Sequence, residues 1–221
     1  MRSNYPVFVS LAAALILAGC SVVGIRTGYE EPSYSVVDRI GDDLEIRTYA
    51  PRLAASATVD ETEENAGRNQ AFRILFDYIS GANIGSAEIA MTVPVEVPSA
   101  GEKVAMTVPV ETSANVEGRT TMRFFLPSEF TVATAPVPKD ARVQIEELPE
   151  TTEAALRFTG LGSLSSLRER RAELLRALDG SGWSVKGEPT TLFYDPPWTI
   201  PFLRRNEVLV PVARNKNFTD G

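Results

Sequence analysis

Histidine is absent from this chain and cysteine occurs once, at Cys20, so most carriers of nucleophilic and metal chemistry are missing. Ser-His-Asp and Cys-His systems are excluded, and so is iron or zinc held by imidazole. What remains is softer. Met91 and Met106 offer thioethers, although methionine in a strand is more often core filler than a ligand. Phe72 and Phe76, four residues apart, and Trp198 and Phe202 offer flat apolar faces. Asp42 and Asp43 are adjacent carboxylates, but they follow Gly41 in a turn, where aspartate bonds its own backbone. Arg204-Arg205-Asn206-Glu207 reads as a structural network, because arginine can bond the carbonyls of a proline-rich loop that has lost N–H donors; an anion site is the sharper alternative. Arg168, Arg170, Arg171 and Arg176 share a helical stretch with Glu169 and Glu173 and read as a solvated, salt-bridged face.

Cys20 has its own chemistry. Arg2 precedes an apolar run from Val7 to Ala18, too short to span a bilayer, and the run closes on Leu17-Ala18-Gly19 before the cysteine. That pattern resembles a bacterial lipobox. Residues 1–19 are therefore expected to be a lipoprotein signal peptide, with Cys20 becoming the acylated first residue of a tether over residues 20–32. Ser21 is not the aspartate that would signal inner-membrane retention, so an outer membrane facing the periplasm is the expected address. With Cys20 lipidated no thiol remains for a disulfide or a cluster.

The elements that must position these residues are legible from periodicity. Tyr34–Ile40 and Leu44–Tyr49 flank the Gly41 turn as two strands, Arg52–Val59 makes a third, and 121–126 another. Residues 60–80 read as a helix, with Asp60 and Glu63 at capping-box spacing and Phe72, Leu75, Phe76 and Ile79 on one face. Residues 163–179 read as a second helix, capped by Ser166 and Glu169, with Leu167, Leu174, Leu175 and Leu178 as its stripe. The heptapeptide Ala90–Glu96 recurs as Ala105–Glu111, a shift of 106 − 91 = 15 residues, and predicts two like strands in which Met106, Val108 and Val110 share a face. Residues 189–194 and 207–212 are terminal strands. Around Ile145 the first half returns faintly: Ile46 maps to Ile145 by 99 residues. Two β-β-α-β units of one α+β domain follow, with a largely antiparallel sheet. The net charge of −7 opposes nucleic-acid binding.

Four stretches resemble the SOUL haem-binding protein family: Tyr34 with Leu44–Tyr49, the paired 89–95 and 104–110, Met122–Ser128, and Tyr194–Val208. The resemblance implies a distorted antiparallel β-barrel with two flanking helices and two pseudo-symmetric halves over residues 33–214, followed by a tail at 215–221. It implies haem or another tetrapyrrole bound on an open apolar surface beside the first helix, by a monomer, without catalysis. The positions nearest to the family's site are Asn69, Phe72, Phe76 and Asp77, with Thr199 in the loop that carries Trp198 and Phe202. Some members place basic residues near Asn69, Asp77 and Thr199 to meet propionates; here Arg68 and Arg73 stand nearby and Asp77 would repel. Haem would be held by apolar burial, for which no iron bond is needed; Met91, Met106 or a tyrosine are the side chains that could ligate iron, although strand methionines are more often core filler. The alternative is a non-haem ligand or partner on the same fold. An enzyme using Tyr and Glu is the remaining class, and no carboxylates are seen placed on facing elements.

Overall fold

The computed structural model describes residues 29–61, 63–85, 101–114, 119–196 and 198–215. Cys20 and the first heptapeptide, with Met91, lie outside them. Twelve strands occur among the described residues: β1 (Tyr34–Ile40), β2 (Leu44–Tyr49), β3 (Arg52–Asp60), β4 (Asn83–Ile84), β5 (Val110–Ala114), β6 (Arg119–Phe125), β7 (Val137–Pro138), β8 (Val143–Leu148), β9 (Thr151–Phe158), β10 (Trp183–Val185), β11 (Thr190–Phe193) and β12 (Asn206–Arg214). Two helices accompany them, α1 (Glu64–Ile79) and α2 (Leu164–Leu178).

One curled antiparallel sheet runs β1-β2-β9-β12-β11-β5-β6-β3-β8, with β10 added to β12; β4 and β7 pair separately. The order is a palindrome of the two halves. Exchanging β2 with β8, β3 with β9, β5 with β11 and β6 with β12 reverses the path from β2 to β8 onto itself. The 99-residue shift read from the sequence is the operator. Ile46 faces Ala154 across β2 and β9, and Ile145 faces Ala55 across β8 and β3, where 46 + 99 = 145 and 55 + 99 = 154. Each half thus lends its first strand to the edge of the other, which ties the halves into one α+β barrel-like body.

Both faces of the sheet are buried. Under α1, Ala71, Ile74, Leu75, Tyr78 and Ile79 pack on Ala55, Ala57, Met122 and Phe124. Under α2, Leu167, Leu174 and Leu178 pack on Ile46, Leu156, Val208 and Val210. The concave face holds Tyr49, Ala54, Phe125, Leu192, Tyr194 and Leu209. Gly67 lets α1 approach β6: a Cβ there would lie 2.6 Å from Thr120 Oγ1.

Several local expectations change. Asp60 ends β3, and the cap of α1 is Glu63, whose carboxylate accepts from the amides of Asn65 and Ala66. Ser163, not Ser166, caps α2, accepting from the Ser166 amide. Leu175 leaves the stripe and is exposed. The second heptapeptide is not a strand over its length: β5 starts only at Val110. Pro109 has no N–H to enter a ladder, the Val104 amide donates to Ile79 and the Val108 amide to Glu30. Alternation fails with it, since Met106 is exposed while Thr107, Val108 and Pro109 are buried.

Candidate functional site

Helix α1 docks through Ala71, Ile74, Leu75, Tyr78 and Ile79 and leaves two phenylalanine rings outside. Phe72 and Phe76 stack with centroids 5.9 Å apart and planes 14° from parallel. They are 40% and 44% exposed, so the stripe read as one face is split: Leu75 and Ile79 go into the core, and the phenylalanines flank it. Phe72 also meets Phe124 of β6 edge-on at 5.5 Å, which fixes the shelf to the sheet. Asn69, Arg73 and Asp77 are exposed on the same turns, so the four helical residues carried over from the family form one outward strip.

A cationic site adjoins that strip. Arg68 lies over the ring of Phe193, 4.6 Å from its centroid. Phe193 is seated against Gly162, whose φ of +62° and 2.7 Å clearance for a Cβ exclude a larger residue. Burial, with repulsion from Arg171 and only partial relief from Glu64, holds the Arg68 pKa below its ordinary value. Arg171 of α2 reaches Thr191 Oγ1 of β11 at 3.4 Å, and its Nε is buried without a hydrogen-bond partner. The reading of Arg171 as part of a solvated face is thus corrected. A signal for this was present: Arg171 falls four residues after Leu167 and three before Leu174, inside the apolar stripe. Arg170, by contrast, pairs with Glu173 at 2.6 Å on the outer side, as expected. Two guanidinium groups, one from each helix, thus come together around Phe193 and β11, an arrangement that favours an anion.

The loop after β11 has a different role for each residue. Thr199 is buried; its amide donates to Pro196 O, and its carbonyl accepts from Arg204 Nε at 2.8 Å. Trp198 and Phe202 project outward, 66% and 71% exposed. The described contacts join this loop to α1 indirectly: the Gly160 amide donates to Pro201 O, Gly162 seats Phe193, and Phe193 carries Arg68. The block from Arg204 to Glu207 is the structural network the sequence suggested. Arg205 lies over Tyr194 at 3.8 Å, bonds Glu207 Oε1 at 3.0 Å and pairs with Glu31 at 3.1 Å. Asn206 Nδ2 donates to Gly160 O. Glu207, fully buried, also accepts from Arg47 at 2.7 Å and from Tyr194 Oη at 2.8 Å. Burial alone would raise its pKa, but Arg47, Arg205 and Tyr194 together hold it below the usual carboxylate value. Burial and the charge of Glu207 push the Tyr194 phenol well up.

The concave face encloses a second polar group. Tyr49, Arg52, Glu111, Glu153 and Tyr194 line a cavity of about 10 Å³, room for roughly one water and not for a macrocycle. Here two carboxylates do sit on facing strands, Glu111 of β5 and Glu153 of β9, which corrects the sequence reading. Both are engaged: Glu153 with Arg52 at 3.2 Å and Glu111 with Arg123 at 3.3 Å. Burial pushes the Glu111 pKa up despite Arg123. Met106 lines a shallow recess with Glu30, Pro127 and Ser128, and Met122 is core beneath α1.

The sequence profile described as SOUL heme-binding protein matches residues 29–211. No curated protein matches the chain. Among solved structures the chain is similar to the C-terminal domain of EcmrR, at 12% identity and TM-score 0.56 over 82% of this chain and 98% of that one. It is similar to a hydrolase from Listeria innocua, at 8% identity and TM-score 0.52 over 77% and 92%. It is also similar to an uncharacterized conserved protein from Listeria innocua, at 12% and 0.51 over 85% and 94%. These likenesses concern the fold. The chain belongs to the SOUL heme-binding protein family.

Proposed function

We propose that this SOUL-family chain binds haem or a similar tetrapyrrole on the outward face of α1, without an iron–histidine bond, and does so while tethered to the envelope by a lipid on Cys20. The observation that carries the reading is the Phe72–Phe76 stack, two parallel rings left exposed on a helix whose other side is fully docked. A porphyrin laid on them buries apolar area at about 25 cal/mol per Å², so ~300 Å² supplies roughly 7 kcal/mol before the costs of association. Arg68 and Arg171 supply cations for propionates in place of the basic residues that Asn69, Asp77 and Thr199 lack. The residues present fit stacking and ion pairing. Among the described residues no methionine is in contact with the shelf, so the stacking and ion pairing there do not depend on an iron bond. The protein's share is then to hold the macrocycle, orient its carboxylates and release it, which suits storage, scavenging or hand-over at an outer membrane facing the periplasm.

The second reading, a non-haem ligand or partner on this face, is favoured by Asp77, an exposed carboxylate next to Phe76. A haem titration of the mature chain separates the two. A saturable one-to-one Soret change, weakened by Phe72→Ala and Phe76→Ala, supports haem. The absence of saturation at haem concentrations on the order of tens of micromolar leaves the face to another ligand.

A further inference from the structure

Among the described residues the most exposed large apolar side chains are not on α1. Trp198, Phe202 and Leu203 of the loop after β11 are exposed, and Leu161, 67% exposed, joins them from the turn before α2. Two bonds hold the two segments together: the Gly160 amide to Pro201 O at 3.0 Å and Asn206 Nδ2 to Gly160 O at 3.1 Å. The loop is braced from within. The Leu203 amide donates to Ile200 O, the Arg204 amide to Pro201 O, and Arg204 Nε to Thr199 O. Much of the loop backbone is thus satisfied internally, which an apolar medium demands, and the large side chains are presented without further ordering.

The position of this tip relative to the tether matters most. Arg205, two residues beyond Leu203, is ion-paired at 3.1 Å with Glu31, near the start of the described chain. Glu31 follows Cys20 by 31 − 20 = 11 residues, a span of at most about 40 Å. The loop that carries the apolar tip is thus tied, through Arg205 just beyond it, to the stretch where the expected tether reaches the domain. A tryptophan and a phenylalanine on a braced loop are the side chains that settle at a bilayer interface.

We infer that the tip formed by Trp198, Phe202, Leu203 and Leu161 inserts into the interface of the bilayer that holds the Cys20 lipid; the inference rests on the lipid-anchor reading proposed above. The contact adds a second point of attachment to the lipid, so the domain is held in one orientation on the bilayer. Ligand then enters or leaves α1 from one defined side.

The test uses the processed, acylated chain in phosphatidylcholine vesicles, with and without brominated acyl chains, and follows tryptophan emission. Only Trp183 and Trp198 are present, and Trp183 is partly buried with its Nε1 bonded to Asp38. The expected result is a blue shift and a loss of emission with brominated lipid, both removed by Trp198→Phe and reduced by Phe202→Ser. Emission that stays water-like and unquenched on vesicles carrying the acylated chain overturns the tip. Intact mass without acyl groups on Cys20 overturns the inference at the anchor instead. Quenching of Trp198 by haem, with none by brominated lipid, assigns the loop to the ligand and also overturns it.

Discussion

Single residues carry most of the distinction between stability and binding in this chain. Glu207 is the clearest structural case. It is fully buried, and it answers two arginines and a tyrosine. Glu207→Gln removes the buried anion that Arg47 and Arg205 share, leaving Arg47 only the partly exposed Glu45 and Arg205 only Glu31, and is expected to cost about 3 kcal/mol, a fall in Tm on the order of 10 °C, read by thermal melts at pH 7. Its pKa is lowered in the fold, so its contribution is present above the ordinary carboxylate pKa and is lost as pH falls through the folded value; the variant should lack that acid limb. Glu111 has the opposite sign. Its pKa is raised, so its contribution is present below the ordinary value and is lost as pH rises through the folded one. Glu111→Gln should therefore gain stability relative to the wild type near pH 7 and lose that advantage near pH 4, while Arg123 keeps its 2.7 Å contact to Glu146. Arg171 separates the two properties in one variant. Arg171→Met removes a cation with an unpartnered buried Nε, so the Tm should hold or rise, while the affinity for a carboxylate-bearing porphyrin falls about tenfold, roughly 1.4 kcal/mol, in a direct titration. The sequence made the Arg204–Glu207 network readable because four polar residues in a proline-rich setting had to answer carbonyls. Arg171 was hidden because its charge suggested solvent, while only its place in the leucine stripe pointed inward.

Elements set where those residues can act. Helix α1 exposes its phenylalanine pair because Ala71, Ile74, Leu75, Tyr78 and Ile79 fill the side that meets the sheet, and Gly67 allows that close approach. On α2 the turn at Gly162 does the matching work, since it makes space for Phe193 and so for Arg68. Gly162→Ala places a methyl 2.7 Å from the ring at a positive φ and is expected to cost about 1–3 kcal/mol. Haem affinity should fall with it, although no residue that would touch the ligand has changed; melts and titrations of the same sample check both. The two helices and the strands at 34–40, 44–49, 52–60, 119–125 and 206–214 were legible from alternation and stripes to within a few residues, whereas the short β4, β7 and β10 were not. Caps and the second heptapeptide were not. Capping depends on which oxygen reaches a free amide, and an alternating pattern that includes a proline cannot reveal that its amides donate to a helix end and to the entering chain.

The whole molecule is organised by the faint 99-residue echo. The shift emerged as the relation between the two halves of the sheet, with β2 and β8 exchanged between them. That exchange puts the polar networks in the interior and leaves a cavity of only about 10 Å³ there, too narrow for a macrocycle. The halves have diverged where it matters: Phe72 of α1 corresponds by the same shift to Arg171 of α2 (72 + 99 = 171), an aromatic shelf on one side and a cation on the other. Histidine's absence was readable at once, and with it the expectation of binding without an iron–imidazole bond. The direct test is a parallel titration of the mature chain with haem and with iron-free protoporphyrin. The account predicts saturable one-to-one binding of both, with Kd values within about threefold of each other and both weakened by Phe76→Ala. Saturable haem binding with no binding of the iron-free macrocycle, or binding of both that ignores Phe72 and Phe76, would contradict it.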